Sequence, residues 1–151
     1  MTNVTSGTAS ATVGLSKPSV ALWSRLARVH HKVDRASAER LGAYGLSVGQ
    51  FDVLAQVGAR EGITQKELAE KLLVTKSNVC QIVRRMQERG LVSRRQEGRA
   101  KRLFLTEEGR RLFEEVVPSQ EELIDRLLSS VPSEDHDVLS KTLGKLDRAL
   151  Q

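Results

Sequence analysis

Residues 64–106, TQKELAEKLLVTKSNVCQIVRRMQERGLVSRRQEGRAKRLFLT, decide the fold of this 151-residue chain. Thr64, followed three residues later by Glu67, is a capping box that opens a helix, and Thr75 is the N-cap expected for a second helix. The second helix carries an apolar face at helical spacing, formed by Val79, Ile82, Val83 and Met86. Gly90 is placed as its C-cap. The segment therefore predicts a helix, a short turn and a second helix.

A hairpin is predicted directly after these helices. Residues 91–96 and 101–106 are β-prone, and residues 97–100, which include Gly98, connect them. Thr106 then caps a fifth helix, whose first turn carries two glutamates where the helix dipole favours negative charge.

Helices flank this central segment on both sides. Apolar periodicity predicts a first helix over 20–41, and a capping box at Ser47 and Gln50 opens a second helix that breaks at residues 58–62. The fifth helix is predicted to run to about residue 129, with a kink at Pro118.

The last predicted helix begins at Pro132 and Ser133. One apolar stripe runs along it, formed by Leu139, Leu143, Leu146 and Leu150. Leu123, Ile124, Leu127 and Leu128 add further apolar residues. The two groups together hold more apolar residues than the core of one small lobe needs, which favours a dimerising helix pair over an ordinary intramolecular core.

Positive charge is concentrated in one segment of the chain. The formal net charge is +5, yet residues 76–102 alone hold nine Lys or Arg against two Glu. Residues 103–151 hold six basic residues against eleven acids. A basic segment on a nearly neutral body is typical of phosphate-backbone binding, the alternative being a solvated basic surface.

Composition excludes several classes of protein. The chain has one cysteine, which excludes an intrachain disulfide and favours a reducing, cytoplasmic location. It has no apolar run long enough to span a membrane. Glycine-rich phosphate loops, nucleophile–base motifs and metal-ligand spacings are also missing, so we expect a protein that is not an enzyme and needs no cofactor.

The polar face of the fourth helix suits the DNA major groove. Amide side chains can bridge adenine and arginine can bridge guanine, so base or phosphate contacts are predicted for this face. Its members are Thr75, Lys76, Ser77, Asn78, Gln81, Arg84 and Arg85. The hairpin offers further cations to the phosphates and the minor groove, namely Arg94, Arg95, Arg99, Lys101 and Arg102.

Residues 46–112, from LSVGQFDVLAQVG to LTEEGRRL, closely resemble the MarR family of bacterial winged-helix regulators. Flanking helices of matching length extend the resemblance over residues 20–150. It implies an obligate homodimer joined through the first and last helices, which binds a double-stranded, pseudo-palindromic operator. It also implies a repressor whose DNA affinity is lowered by a small phenolic or otherwise anionic molecule.

The expected organisation is mainly α with a small β-hairpin wing. A winged helix-turn-helix DNA-binding lobe is predicted over 46–106. A helical dimerisation region is expected over 18–45 and 107–151, after a disordered tail over 1–17.

Two motifs carry the family resemblance in detail. Residues 75–92, from Thr75-Lys76-Ser77-Asn78 through Arg89-Gly90-Leu91-Val92, match the recognition-helix signature. The family's wing carries an Asp-x-Arg motif, whose acid orients the arginine into the minor groove. Glu97, Gly98 and Arg99 stand at these positions, so the resemblance implies that Glu97 orients Arg99. The wing is about three residues shorter than the common pattern, which affects how deeply Arg99 reaches.

The signal to which such a regulator would respond is less defined. Trp23 and His30 share one face of the first helix and could line a pocket for an aromatic acid, with Arg25 or Arg28 supplying charge. Alternatively, Trp23 packs in a dimer core.

A redox- or metal-responsive regulator with the same DNA-binding module is the competing hypothesis. Cys80 on the fourth helix could sense oxidants, although a small buried apolar role is more common for such a cysteine. A metal site would combine His30, His31 and Asp34 with Cys80 or His136, which gives few ligands.

Overall fold

The computed structural model describes residues 17–151, in which six helices and a two-stranded antiparallel sheet follow one another along the chain. The elements are α1 (Pro18–Gly42), α2 (Val48–Ala59), α3 (Gln65–Leu72), α4 (Lys76–Glu88), β1 (Val92–Glu97), β2 (Ala100–Leu105), α5 (Glu107–Leu127) and α6 (Ser133–Ala149). The predicted mainly α fold with a hairpin wing is confirmed. The predicted tail over 1–17 lies, except for Lys17, outside the described residues.

Side-chain caps mark the starts of α2, α3, α4 and α5, whereas α1 and α6 begin beside a proline without such a cap. Ser47 and Gln50 form the expected reciprocal pair, since each side chain accepts the other's backbone N–H at 3.1 Å. The Thr64 side chain accepts the backbone N–H of Glu67 at 3.1 Å. The Glu67 side chain does not accept the backbone N–H of Thr64 in return, so the predicted capping box is wrong in this half. The Glu67 carboxylate instead pairs with the guanidinium of Arg60 at 3.2 Å, because the loop between α2 and α3 brings that cation within reach.

The hydrophobic core lies where α2, α3, α4, the hairpin and the first half of α5 meet. Its fully buried side chains include Val53, Leu54, Val57, Ile63, Leu68, Val79, Val83, Met86, Leu103 and Val116. α1 joins this core at its C-terminal end through Leu41. One turn earlier in α1, Ser37 accepts a hydrogen bond of 2.6 Å from the buried side-chain amide of Gln120 on α5.

The hairpin turn is tighter than the sequence indicates. Glu97 pairs directly with Ala100, so the predicted four-residue connection over 97–100 is wrong, and only Gly98 and Arg99 form the turn. Gly98 adopts φ +61°, the left-handed conformation that two-residue hairpin turns require and that glycine adopts without steric cost.

The predicted break over residues 58–62 is confirmed, since α2 ends at Ala59. The ring of Phe113 packs so closely over Gly58 that a Cβ there would overlap it. Gly58 therefore also serves close helix packing in the last turn of α2. α5 continues as one helix past Pro118, which lies on its exposed side.

Candidate nucleic-acid interface

The turn between α3 and α4 spans Leu73 to Thr75. Leu73 adopts φ 55°, and the backbone N–H of Val74 reaches back to the Ala69 carbonyl at 3.2 Å. The Thr75 hydroxyl then accepts the backbone N–H of Asn78 at 3.1 Å, which starts α4 at the predicted place. α4 ends at Glu88 with Arg89 as its C-cap, so the predicted C-cap at Gly90 is one residue late; Gly90 follows in the left-handed conformation at φ +72°.

α4 has one buried face and one exposed face. Val79, Val83 and Met86 are fully buried against the core. The opposite face is exposed and carries the predicted contact residues Lys76, Ser77, Asn78, Gln81, Arg84 and Arg85. α4 thus presents amides, a hydroxyl and cations together, as a recognition helix requires.

Two hairpin arginines are held by partners inside the protein. Arg94 donates to the side-chain carbonyl of Gln65 at 3.2 Å, and the Arg95 guanidinium lies 4.8 Å from the centroid of the Phe104 ring. The first contact ties β1 to the start of α3, and the second is a cation–π contact across the hairpin. Both arginines remain exposed to solvent.

Glu97 does not take the partner that the family resemblance implies. Its Oε2 lies 2.6 Å from Nε of Arg102, so the expected pairing of Glu97 with Arg99 is wrong. The two-residue turn explains this change, because Arg99 stands at the tip whereas Arg102 follows on the neighbouring strand. Arg102 also donates to the Gly62 carbonyl at 2.9 Å, so it is not the free phosphate ligand that the sequence suggests.

A basic cleft separates the hairpin tip from the first turns of α3 and α4. Its volume is about 670 Å³, and its charged lining residues are Lys66, Lys76, Arg99 and Lys101. Thr64, Gln65, Ser77, Cys80 and Ala100 complete the lining. The structure therefore brings together Lys76, Ser77, Arg99 and Lys101 from two separately predicted elements, and it adds Lys66. The position of Lys66 in the first turn of α3 is the signal that could have identified it.

Cys80 lies in this basic cleft and is only partly buried. Its expected role as a small buried core residue is therefore wrong, since the neighbouring Val79 takes the core position. His30, His31, Asp34 and His136 do not join it: within residues 17–151, no three His, Cys, Asp or Glu side chains come close enough to hold a metal ion.

α6 is unpartnered within the protomer. All of its residues are described, and none is buried. Its exposed apolar residues are Val138, Leu139, Leu143 and Leu146, followed by Leu150 at the helix end. α1 likewise exposes Leu22, Trp23 and Val29. Leu123, grouped with this stripe from the sequence, is instead buried in its own protomer.

The candidate ligand residues on α1 separate into two places. Trp23 and His30 line one hollow of about 580 Å³ together with Leu26, Ala27 and His31. Arg25 borders a different, smaller hollow with Arg28. Trp23 is 67% exposed, so the described protomer alone leaves the hollow open.

Asp52 on α2 is an acidic residue whose ionisation is altered by its surroundings, which include Asp34 on α1. Burial raises the pKa of the Asp52 carboxyl above its usual value, and the negative charge of Asp34 raises it further.

Among residues 17–151, no helix is long and apolar enough to cross a membrane.

The sequence model of the MarR family matches residues 44–103. An HTH-type transcriptional regulator of Bacillus cereus is 35% identical over 99 residues, which cover 66% of this chain and 67% of that relative. The structure of the S. aureus MepR–DNA complex shares 25% identity with a TM-score of 0.78, covering 85% of this chain and 98% of MepR. The structure of CouR from Rhodococcus jostii RHA1 bound to p-coumaroyl-CoA shares 30% identity with a TM-score of 0.73. The match covers 80% of this chain and 87% of CouR.

Proposed function

This chain belongs to the MarR family of DNA-binding transcriptional regulators, and we propose that it is a homodimeric repressor released from its operator by a small molecule. The observation that carries the proposal is the basic cleft, which joins the polar face of α4 to the hairpin tip. A helix that can contact bases and a wing that can contact phosphates thus adjoin one opening.

α4 would enter the major groove of a double-stranded operator. Asn78 and Gln81 carry amides suited to adenine, while Arg84 can contact guanine or the backbone. Lys76 lies at the N-terminus of α4, where free backbone N–H groups and a cation together favour phosphate. Arg99 at the hairpin tip would reach the adjacent minor groove.

Selection from sheared genomic DNA tests the DNA-binding proposal. Purified protein is incubated with short fragments, bound fragments are recovered and sequenced, and affinity for the enriched duplex is measured by fluorescence anisotropy. We expect one enriched pseudo-palindromic sequence that binds at least about a thousandfold more tightly than random duplex. Equal recovery of all fragments would contradict sequence-specific regulation.

The proposed dimer rests on complementary surfaces of α1 and of the trough between α5 and α6. Two adjoining hollows of about 490 and 450 Å³, which share Leu128 and His136, form this trough. Its acidic lining residues are Glu121, Asp125 and Asp137. α1 exposes apolar residues beside a basic row formed by Arg25, Arg28, Lys32 and Arg35. The α1 helix of a second copy therefore suits the trough in both hydrophobicity and charge.

Sedimentation equilibrium tests this dimer. Leu143→Glu places a charge on the exposed apolar stripe of α6, and we expect it to shift the protein toward monomer. Lys141→Glu, on the same helix, is the control for the added acid. A wild-type protein that stays monomeric at micromolar concentration would contradict the dimer.

The proposed effector site is the hollow at Trp23 and His30 on α1. Support for an aromatic or anionic ligand comes from CouR, whose structure holds p-coumaroyl-CoA, a molecule with a phenol ring and phosphate groups. A ligand that binds better to a dimer with the wrong spacing of recognition helices draws the population away from the DNA-competent form.

Fluorescence titration tests the effector site directly, because Trp23 is the only tryptophan of the chain. p-Coumarate and p-coumaroyl-CoA are the probes. We expect saturable quenching and a parallel loss of DNA affinity. Quenching without any effect on DNA binding would contradict the regulatory role, and ligand release unaffected by Trp23→Ala would place the site elsewhere.

A redox-responsive version of the same regulator is the second candidate, favoured by the position of Cys80 in the basic cleft. Mild peroxide treatment followed by mass spectrometry and DNA titration decides it. Oxidised Cys80 with lowered affinity supports this version, and an unmodified thiol with unchanged affinity removes it.

A further inference from the structure

The ion pairs of the described residues are concentrated on the hairpin and on the loop between α2 and α3. Three are present in residues 17–151, namely Arg60 with Glu67, Arg102 with Glu97, and Arg110 with Glu61. All three involve the loop between α2 and α3 or the hairpin itself. Exposed pairs of this kind add little to stability. Their shared location instead favours a role in orienting the hairpin.

Backbone hydrogen bonds join the same loop to β2. The Gly62 N–H donates to the Leu103 carbonyl at 2.8 Å, and the Leu103 N–H donates to the Ile63 carbonyl at 2.9 Å. Thr64 and Arg102 continue this antiparallel pairing. The loop thus acts as a short third strand beside the hairpin, but these bonds end well before the hairpin tip.

The Arg102 side chain extends this connection toward the tip. Its Nε donates to Glu97, the last residue of β1, while the NH1 nitrogen donates to the Gly62 carbonyl. The planar guanidinium can hold two partners in different directions at once, which a lysine ammonium on a flexible stem does less well. Arg102 therefore connects the residue that precedes the Gly98–Arg99 turn to the loop between α2 and α3, which is itself hydrogen-bonded to β2.

We propose that Arg102 is a positioning residue for DNA binding: through Glu97 and Gly62 it holds the hairpin tip, and with it Arg99, at the working distance from α4. This inference rests on the proposed DNA-binding function. Arg102 sets the width of the basic cleft, and its effect on DNA affinity passes through Arg99. A direct phosphate contact by Arg102 is the competing explanation.

The first test needs no DNA. Cys80 is the only cysteine of the chain and lines the cleft, so its rate of alkylation by a charge-neutral maleimide reports cleft opening. Arg102→Met should accelerate alkylation several-fold, whereas Arg102→Lys should lie between Arg102→Met and wild type. Arg126→Met, which removes an exposed arginine near the end of α5, should leave the rate unchanged. Equal rates in wild type and both Arg102 variants, with unchanged circular dichroism, would overturn the proposal.

The second test is a double-mutant cycle on DNA affinity with Arg99→Ala. Introduced into the wild-type protein, Arg102→Met should weaken DNA binding about tenfold. Introduced into the Arg99→Ala variant, it should weaken binding less than about twofold, since Arg102 then has no arginine to position. Additive losses would assign Arg102 a direct contact and overturn the proposal.

Glu97→Ala supplies a third check with a distinctive sign. Removal of an acid beside DNA should by itself raise affinity. If Glu97 acts through Arg102, Glu97→Ala should lower affinity in wild type and raise it in Arg102→Met. A rise in both backgrounds would overturn the positioning role of Glu97. If wild type binds no DNA, the proposed function fails, while the alkylation result still decides whether Arg102 holds the cleft.

Discussion

Oε2 of Glu97 lies 2.6 Å from Nε of Arg102, five residues later on the opposite strand of the hairpin. This pair closes the hairpin just behind its tip and leaves Arg99 without an acidic partner among residues 17–151. The guanidinium of Arg99 therefore faces the basic cleft with its full charge. Of the hairpin cations, Arg99 and Lys101 are the ones that line this cleft.

Gln81 is expected to contribute to base discrimination. Gln81→Ala should reduce the preference for the correct base at one position of each half-site by about 1–3 kcal/mol, because the bidentate amide contact is lost. Affinities for a set of operators with single base changes measure this. Lys101→Ala is the matched control and should lower all affinities by a similar factor. Unchanged preferences in Gln81→Ala would remove the base-reading role.

Gly109 is expected to tolerate no side chain. A Cβ at this position would overlap the backbone carbonyl oxygen of Leu91 and lie 3.0 Å from its carbonyl carbon. Gly109→Ala should therefore lower the free energy of unfolding by on the order of 2 kcal/mol, as urea denaturation would measure. Gly42→Ala is the control, since nothing lies within 4 Å of its added Cβ, and it should be neutral or slightly stabilising.

Leu73 is strained in the turn between α3 and α4. It combines φ 55° with 87% exposure, so its side chain gains little from burial while its backbone is unfavourable. Leu73→Asn should raise the free energy of unfolding by about 0.5–1 kcal/mol, because asparagine adopts this conformation more readily. Leu73→Val should be destabilising, because a branched Cβ disfavours it further. Stabilisation by valine would contradict the strain.

Asp52 is expected to make stability depend on pH. Because the pKa of Asp52 is raised in the folded protein, the folded state binds this proton more tightly than the unfolded state does. The resulting stabilisation is fully present below the unfolded pKa of about 3.9 and is lost as pH rises through the folded pKa. Asp52→Asn should therefore be more stable than wild type at neutral pH, with a gain that shrinks toward about pH 4. A gain independent of pH would contradict the raised pKa.

Local chemistry made most of the fold predictable. Ser47, Thr75 and Thr106 are caps whose hydrogen bonds reach only three residues along the chain, and the apolar spacing of α4 directly predicts its buried face. The order of elements and the residues on the exposed face of α4 follow from these short-range signals.

The remaining features depend on contacts distant in sequence. Gly58 marks the end of α2 in the sequence, but its close contact with Phe113, more than fifty residues later, is visible only in the folded chain. The position of Lys66 in the cleft requires the hairpin to fold back against α3. The choice of Arg102 over Arg99 by Glu97 depends on a two-residue turn, which the longer family pattern does not indicate.

The salt dependence of operator affinity tests the central claim most directly. If the three lysines of the cleft in each protomer contact phosphate, about six contacts per dimer give a slope of log association constant against log salt near −5. Lys101→Ala should reduce the magnitude of this slope by about 2. An operator affinity that hardly changes with salt, or a slope unaffected by Lys101→Ala, would contradict phosphate binding in the basic cleft.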